Sequence, residues 1–159
     1  MNNCDAYSEL LLPLKSVSIS EKFTFVDLFS GIGGFRIALE DLGGKCLGYS
    51  EIDPDAIEVY QRNFINYLNP NEPNFGNITH LGKLPLETEI DLIVGGVPCQ
   101  PWSIAGKIKG FEDARGQLWF DAIRVVEENQ PKAFIFENVK GLIEPRHQSS
   151  FEVILKKID

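Results

Sequence analysis

No stretch of the chain strings together the ~18–20 apolar residues that a transmembrane helix needs. The start, Met1 to Leu14, carries an acidic residue, Asp5, and a single short apolar run, Leu10-Leu11-Leu12. A secretory signal wants a basic start and a longer apolar core. These absences lead us to expect a cytoplasmic protein with no membrane partner. Cysteine is scarce: Cys4, Cys46 and Cys99 are the 3 in the chain, and none belongs to a Cys-x-x-Cys pair. A disulfide framework and a zinc site are therefore both without support. Positive charge is also short, with 15 basic residues against 23 acidic and a formal net charge of −8. By itself that balance argues against a nucleic-acid binder, whose surface must neutralise phosphates. The apolar poverty of a disordered chain is absent too, since 43% of the 159 residues are hydrophobic and 11 are Phe. That length and composition suit one globular domain.

Four segments are short, apolar and rich in β-branched or aromatic residues, and are read as strands: Phe23–Phe29, Lys45–Ile52, Asp91–Val97 and Ala133–Val139. Helical periodicity separates them. Phe35, Ala38, Leu39 and Leu42 recur at i, i+3, i+4 and i+7, with Gly43-Gly44 as the stop. Asp53-Pro54 offers an N-cap and a first-turn proline to a helix burying Ile57, Tyr60 and Phe64. Leu118, Ala122, Val125 and Val126 mark another helix, and Phe151, Ile154, Leu155 and Ile158, after Ser149-Ser150, a last one. Asn69–Asn77 is read as a loop, and residues 1–22 as an extension ahead of a single domain over 23–159. Strands alternating with helices predict an α/β fold with a parallel sheet covered on both faces. Such sheets bind ligands beyond the carboxyl ends of their strands, at the switch in strand order. Residues just past each predicted strand are therefore the candidates for chemistry.

The first strand runs into Asp27-Leu28-Phe29-Ser30-Gly31-Ile32-Gly33-Gly34-Phe35. Glycines at a strand-to-helix turn let a ligand approach the backbone and the amides that open the helix. Arg36 stands where Gly-x-Gly-x-x-Gly has its third glycine, which disfavours a pyrophosphate and leaves a nucleoside-containing ligand. The competing reading is a tight turn without a ligand. Glu51, at the end of the second strand and about 20 residues on, suits a grip on ribose hydroxyls; Asp53 is a better fit to a simple helix cap. The third predicted strand reaches Gly95-Gly96-Val97-Pro98-Cys99-Gln100-Pro101-Trp102-Ser103. Cys46, inside a strand, is expected to be buried and inert. Cys99 lies past a strand end between prolines that would fix its thiol, and Lys107, Lys109 and Arg115 follow to favour the nucleophilic thiolate. A right-handed crossover would set the Ala133–Val139 strand ~4.8 Å from the Cys99 strand, so that Glu137 faces the same pocket. A carboxylate there needs a partner or a task; a structural bond to a loop amide is the plainer alternative.

At these residues the chain resembles the cytosine-C5 DNA methyltransferases of the bacterial restriction–modification type. The likeness rests on Phe29-Ser30-Gly31-Ile32-Gly33-Gly34-Phe35, on Gly95–Gly106 with Pro98-Cys99-Gln100, and on Glu137-Asn138-Val139, in matching order and spacing from about Phe23 to Leu155. It implies a Rossmann-like fold of the S-adenosylmethionine-dependent methyltransferases, with an open, mostly parallel sheet. It also implies transfer of a methyl group to C5 of a cytosine flipped from double-stranded DNA. In that chemistry Cys99 attacks C6 and Glu137 holds N3. For S-adenosylmethionine, the resemblance puts Phe29, Gly31, Ile32 and Gly34 around the methionine end, Glu51 on the ribose and Ile52 on the adenine. Pro98 and Leu118 complete the cofactor set. Asn77-Ile78 stands where the family usually has Asp-Ile, so that the Asn carbonyl would accept from the adenine amino group. Gln100, Ser103, Lys107, Lys109 and Arg115 fall on DNA-contacting positions, the last three in a loop that closes on DNA. Trp102 replaces a commoner Phe.

The family's fold continues past these motifs with further strands, a segment closing the cofactor pocket and a target-recognition region. Residues 1–159 are accordingly read as an amino-terminal catalytic portion, incomplete at its C-terminus. The DNA-facing positive charge would lie mostly in the remainder, which reconciles the net charge with a DNA substrate. The Ala133–Val139 strand would then be an unpaired apolar edge. The chain alone is expected to be marginally folded and inactive unless a complementing C-terminal chain completes the sheet. A cofactor- or partner-binding remnant without turnover, and a tRNA-methylating relative, are the alternatives.

Overall fold

The computed structural model describes residues 21–64, 72–100, 111 and 116–158. Four strands form one parallel sheet: β1 (Phe23–Leu28), β2 (Gly44–Ser50), β3 (Leu92–Gly96) and β4 (Ala133–Glu137), in the spatial order β2-β1-β3-β4. The chain builds outward from β1 to β2, then crosses to the other side of β1 for β3 and β4. The strand order therefore reverses between β1 and β3, which makes their carboxyl ends the switch point.

Alternation along the strands sends side chains to two faces. Phe25, Cys46 and Val94 pack on one face with Leu39 of α1 (Gly34–Asp41). Val26, Leu28 and Ile93 point the other way, to Trp119, Ala122, Ile123 and Val125 of α3 (Leu118–Asn129) and to Ile154 of α4 (Gln148–Ile158). Covered on both faces, β1 is nearly continuous in apolar residues, as parallel strands are. α2 (Pro54–Phe64) adds a smaller aromatic cluster in which Tyr49 stacks on Tyr60 at 4.0 Å. At the amino ends of the strands Asp91 accepts from the Thr24 amide at 2.7 Å and from the Thr24 hydroxyl at 3.1 Å, which locks the β1–β3 register away from the switch point.

The strands end earlier than their apolar patterns do, each for a local reason. β1 stops at Leu28 because Phe29 turns to φ 53. β2 runs Gly44–Ser50 rather than Lys45–Ile52, since the Glu51 carboxylate folds onto the amides of Ile52 and Asp53. β4 stops at Glu137 because Asn138 directs its amide to the exit of β3. Gly43, at φ 92, ends α1, whereas Gly44 already belongs to β2. α4 begins at Gln148 and takes Ser149 and Ser150 inside it. Asp53 caps α2 through bonds from the Asp55 and Ala56 amides at 2.9 and 3.2 Å. The part of the Asn69–Asn77 loop that falls among the described residues is tied to β2, with Asn74 bridging Tyr49 as a parallel neighbour. β4 pairs with β3 and, among the described residues, is the outer strand; Ile135 on it is 51% exposed. No described helix is long and apolar enough to cross a membrane.

Candidate active site

The carboxyl ends of all four strands open into one cavity of about 380 Å³. Its walls come from successive strand exits: Phe29 after β1; Ser50, Glu51 and Ile52 after β2; Val97, Pro98, Cys99 and Gln100 after β3; Glu137 and Val139 at and after β4. Gly76, Asn77 and Ile78 close one side and Leu118, at the start of α3, another. The volume falls in the range of small-molecule sites, and apolar walls with a few polar groups are their usual make-up.

The wall after β1 is strained. Phe29 holds φ 53, a left-handed conformation that a bulky side chain seldom adopts, and Gly31 and Gly33 follow at φ 53 and 93. A Cβ on Gly33 would lie 2.3 Å from the Phe64 ring, so this turn needs glycine for close packing on α2 as well as for its backbone angle. The Gly31 amide donates to Glu51 Oε2 at 2.8 Å, joining the β1 and β2 exits. Glu51 Oε1 accepts from the Ile52 and Asp53 amides at 2.8 and 2.9 Å. Gly31, Ile32 and Gly34, assigned to the cofactor on resemblance, do not line the cavity. The Gly31 amide is engaged by Glu51, Ile32 is 56% exposed, and Gly34 opens α1.

Asn77 caps the 3₁₀ turn Ile78–His80: its Oδ1 accepts from the Thr79 amide at 3.0 Å and the Thr79 hydroxyl at 2.9 Å. An amide N–H can only donate, so the cap fixes which end of the Asn77 side chain is oxygen. The carbonyl is therefore engaged by Thr79, and the Nδ2 donor is the end left for a ligand.

On the opposite side, Gly96 of β3 pairs in register with Glu137 of β4. A Cβ at Gly96 would sit in ordinary contact with Glu137 Oε2, at 3.6 Å, so the carboxylate lies directly over the end of β3. One residue beyond the last rung, Asn138 Nδ2 donates to the Val97 carbonyl at 2.9 Å, while its Oδ1 accepts from the Val139 amide at 2.9 Å. The Cys99 and Glu137 loops are thus fastened together just ahead of Pro98. Cys99 is half-buried and Glu137 exposed at the cavity wall. Cys46, by contrast, is buried, and burial pushes its thiol up to about 12, with the charge of Glu72 adding to the rise.

Two further charged features were not read from the sequence. Asp27 is fully buried on β1, and among the described residues neither carboxylate oxygen has a partner at good hydrogen-bond geometry, the Arg36 amide being the donor that bears on it. Burial raises its pKa to about 7; Arg36 opposes the rise through its main chain and its charge, and Glu51 adds to it. Arg36 is itself buried, ion-paired with Glu72 and with Glu40 (2.8 Å), and its guanidinium lies 4.3 Å from the Phe64 ring centroid. A third glycine could not have supplied this anchor. Ser50, Gly76, Gly96, Val97 and Val139 also line the cavity. Gly96, Val97 and Val139 belong to the motifs already quoted and Ser50 adjoins Glu51, whereas Gly76 follows no strand and only its turn beside Asn77 brings it to the cavity. Ser103, Lys107, Lys109 and Arg115, with Trp102, Pro101 and Cys4, lie outside the described residues. Among the described residues no cluster of His, Cys, Asp and Glu is able to hold a metal.

A parallel sheet with a cavity at its switch point, walled by successive strand exits, is the arrangement of the S-adenosylmethionine-dependent methyltransferase fold. Solved structures agree. The chain superimposes on an E. coli prophage-encoded protein described as a DNA modification methyltransferase with a TM-score of 0.66 at 27% identity, covering 86% of this chain and 37% of that one. On a DNMT2 variant from Spodoptera frugiperda the TM-score is 0.57 at 27% identity, over 86% of this chain and 41% of that one. Residues 23–159 match the model of the C-5 cytosine-specific DNA methylases, and the chain belongs to that family. It is 59% identical to the type II methyltransferase M.HgiCII of Herpetosiphon aurantiacus over 85% of this chain and 30% of the relative. It is 47% identical to M.HpaII of Haemophilus parainfluenzae over 86% and 37%, and 43% identical to M.HhaI of Haemophilus parahaemolyticus over 82% and 38%. The chain thus spans about a third of the length of the curated relatives it matches.

Proposed function

We propose that this chain carries the nucleophile and the cofactor-binding walls of a DNA cytosine-C5 methyltransferase acting in a restriction–modification system. The observation that carries the reading is the meeting of Cys99 and Glu137, from neighbouring strand exits, on one cavity that also holds Phe29, Glu51, Ile52, Asn77 and Ile78.

The residues fit an adenosine-bearing cofactor. Phe29, Ile52, Ile78, Pro98 and Leu118 give flat apolar contacts, and Glu51, Ser50 and Asn77 give polar ones. Asn77 would meet the adenine with a donor, which suits a ring nitrogen rather than the exocyclic amine. S-adenosylmethionine, when bound, supplies an electrophilic methyl group. C5 of cytosine is a poor nucleophile, and the chain's own residues correct that. The Cys99 thiolate adds to C6, and the electron pair of the C5–C6 bond moves into the ring. Glu137 at N3 holds the proton that neutralises the charge gathering there, which leaves an enamine-like ring with a nucleophilic C5. After C5 is substituted, loss of the C5 proton, departure of Cys99 as thiolate and return of the N3 proton to Glu137 restore the aromatic base. C6 is inaccessible within the duplex, so the cytosine enters flipped out. Gln100, at the cavity mouth, and Ser103, Lys107, Lys109 and Arg115 are proposed to contact the DNA. The outward edge of β4, unpaired among the described residues, supports a further strand pairing there, from a complementing C-terminal segment or chain.

The test, run with the complementing C-terminal segment supplied, is transfer of labelled methyl from S-adenosylmethionine to bacterial genomic DNA, alongside calorimetric binding of S-adenosylhomocysteine. Cys99→Ala and Glu137→Gln are expected to bind the cofactor product as the wild type does. Cys99→Ala should transfer no methyl, and Glu137→Gln should transfer it at least ~100-fold more slowly. Methylation that survives Cys99→Ala would refute the assignment, and saturable binding without transfer by the wild type would favour a non-catalytic cofactor-binding role.

A further inference from the structure

The segment Glu72–Ile78 has no regular secondary structure of its own until its last residue, yet its end, Gly76-Asn77-Ile78, forms one side of the cavity. It is fastened to the rest of the molecule at successive points. Glu72 is buried in its ion pair with Arg36. The Tyr49 amide donates to the Pro73 carbonyl at 3.1 Å and the Phe75 amide to the Tyr49 carbonyl at 2.7 Å, so the segment begins as a strand laid beside β2. Gly48 makes room for it: a Cβ there would lie 2.6 Å from the Phe75 ring and 3.0 Å from the Pro73 carbonyl.

Past Tyr49 this pairing cannot continue, because Gly76 turns the chain at φ 73 towards the cavity. The Asn74 side chain then does what the missing strand neighbour would have done. Its Oδ1 accepts from the Glu51 amide at 3.2 Å and its Nδ2 donates to the Glu51 carbonyl at 3.1 Å, a two-bond ring like one rung of a ladder. The same Oδ1 accepts from the Gly76 amide at 2.9 Å, which holds the turn, and the Ser50 hydroxyl donates to the Gly76 carbonyl at 2.6 Å. One amide therefore fixes two facing walls: Glu51-Ile52 on one side and Gly76-Asn77-Ile78 on the other.

We propose that Asn74 is a positioning residue for the adenosine end of the cofactor, setting the gap between these walls without itself lining the cavity. This rests on the cofactor reading above. A mere loop fastener would alter stability alone; a spacer between two binding walls alters affinity for what lies between them.

Calorimetry on the full chain with S-adenosylhomocysteine, and with adenosine alone, tests this beside urea unfolding. Asn74→Ala loses all three bonds, and is expected to lower the unfolding midpoint and, under conditions where the variant is still fully folded, to weaken both compounds about 10-fold. Asn74→Asp keeps the acceptor for the Glu51 and Gly76 amides but loses the donor, and is expected to weaken them by a smaller factor. It also decides the matter should the alanine variant not fold. Unchanged affinity in the folded variants overturns the proposal, as does weaker binding of S-adenosylhomocysteine with adenosine unaffected, or a loss that only tracks lost stability. A wild-type chain that is folded but binds neither compound overturns the cofactor reading itself, and this inference with it.

Discussion

Asp27 gives the sharpest test of the site's electrostatics. Its carboxyl is fully buried in β1 with no well-formed hydrogen bond among the described residues, and burial moves its pKa from 3.8 to about 7. A carboxyl whose folded pKa is raised binds its proton more tightly in the native state. Its contribution to stability is complete below the unfolded pKa, near 4, and is lost as pH rises through about 7. A shift of three units at ~1.4 kcal/mol each amounts to about 4 kcal/mol in all, of which about 2.5 kcal/mol falls between pH 5 and pH 8. Asn is nearly isosteric and does not titrate. Its unpartnered amide costs about 1–3 kcal/mol at every pH. Urea unfolding of wild type and Asp27→Asn, followed by circular dichroism at half-unit steps from pH 5 to pH 8, isolates the titration because all other groups cancel in the difference. The wild type is expected to lose ground to the variant steadily up to pH 7 and then level off. A difference flat across the range would show that Asp27 is charged throughout, and that the α1 amino terminus, through the Arg36 main chain, satisfies it better than its burial suggests.

Gly95→Ala is expected to destabilise the sheet by about 1–3 kcal/mol, since the new Cβ would lie 2.8 Å from the Leu28 carbonyl, a backbone atom of the central strand that cannot step aside. Urea midpoints check it, and a neutral result would mean that β1 and β3 are spaced more widely at the switch point. Asn77→Asp keeps the Thr79 cap with one oxygen and turns the other end of the side chain from donor to acceptor. It is expected to weaken S-adenosylhomocysteine about 10-fold, because the donor proposed to meet an adenine ring nitrogen is lost, whereas tighter binding would show that adenine presents its amino group there. Calorimetric titration of the two proteins distinguishes these outcomes.

The sheet was legible in the sequence because its signals are local. β-branched and aromatic runs, Asp53-Pro54 before α2 and the Leu118–Val126 stripe each reflect what a few consecutive residues bury or cap. The pairing of β3 beside β4, and hence the approach of Glu137 to the Cys99 loop, followed from the handedness of one crossover. What stayed hidden depends on residues far apart in the chain. Arg36 reads as a missing glycine until Glu72, 36 residues on, gives it a buried partner. Glu51 reads as an open carboxylate until its own following amides and Gly31 are seen to occupy it. Asp27 reads as part of a glycine-turn motif, and its lack of a well-formed hydrogen bond is a property of the packed core alone.

The same distinction explains where the strands stop. Apolar content continues through Phe29, Ile52, Val97 and Val139, so hydrophobic pattern alone carries each strand one or two residues too far. Polar groups at the exits impose the earlier ends: Asn138 reaches from β4 to the Val97 carbonyl, Asn74 reaches across to Glu51, and the Glu51 carboxylate gathers the amides after β2. An amide side chain satisfies a backbone group as a neighbouring strand would, yet it lets the chain beyond it turn away. The ends of β2, β3 and β4 are thereby released from the ladder but still held in place, β1 ends on the left-handed turn at Phe29, and the apolar residues freed from the sheet become the walls of the cavity. The misreading of the strand ends and the location of the site therefore have one physical cause.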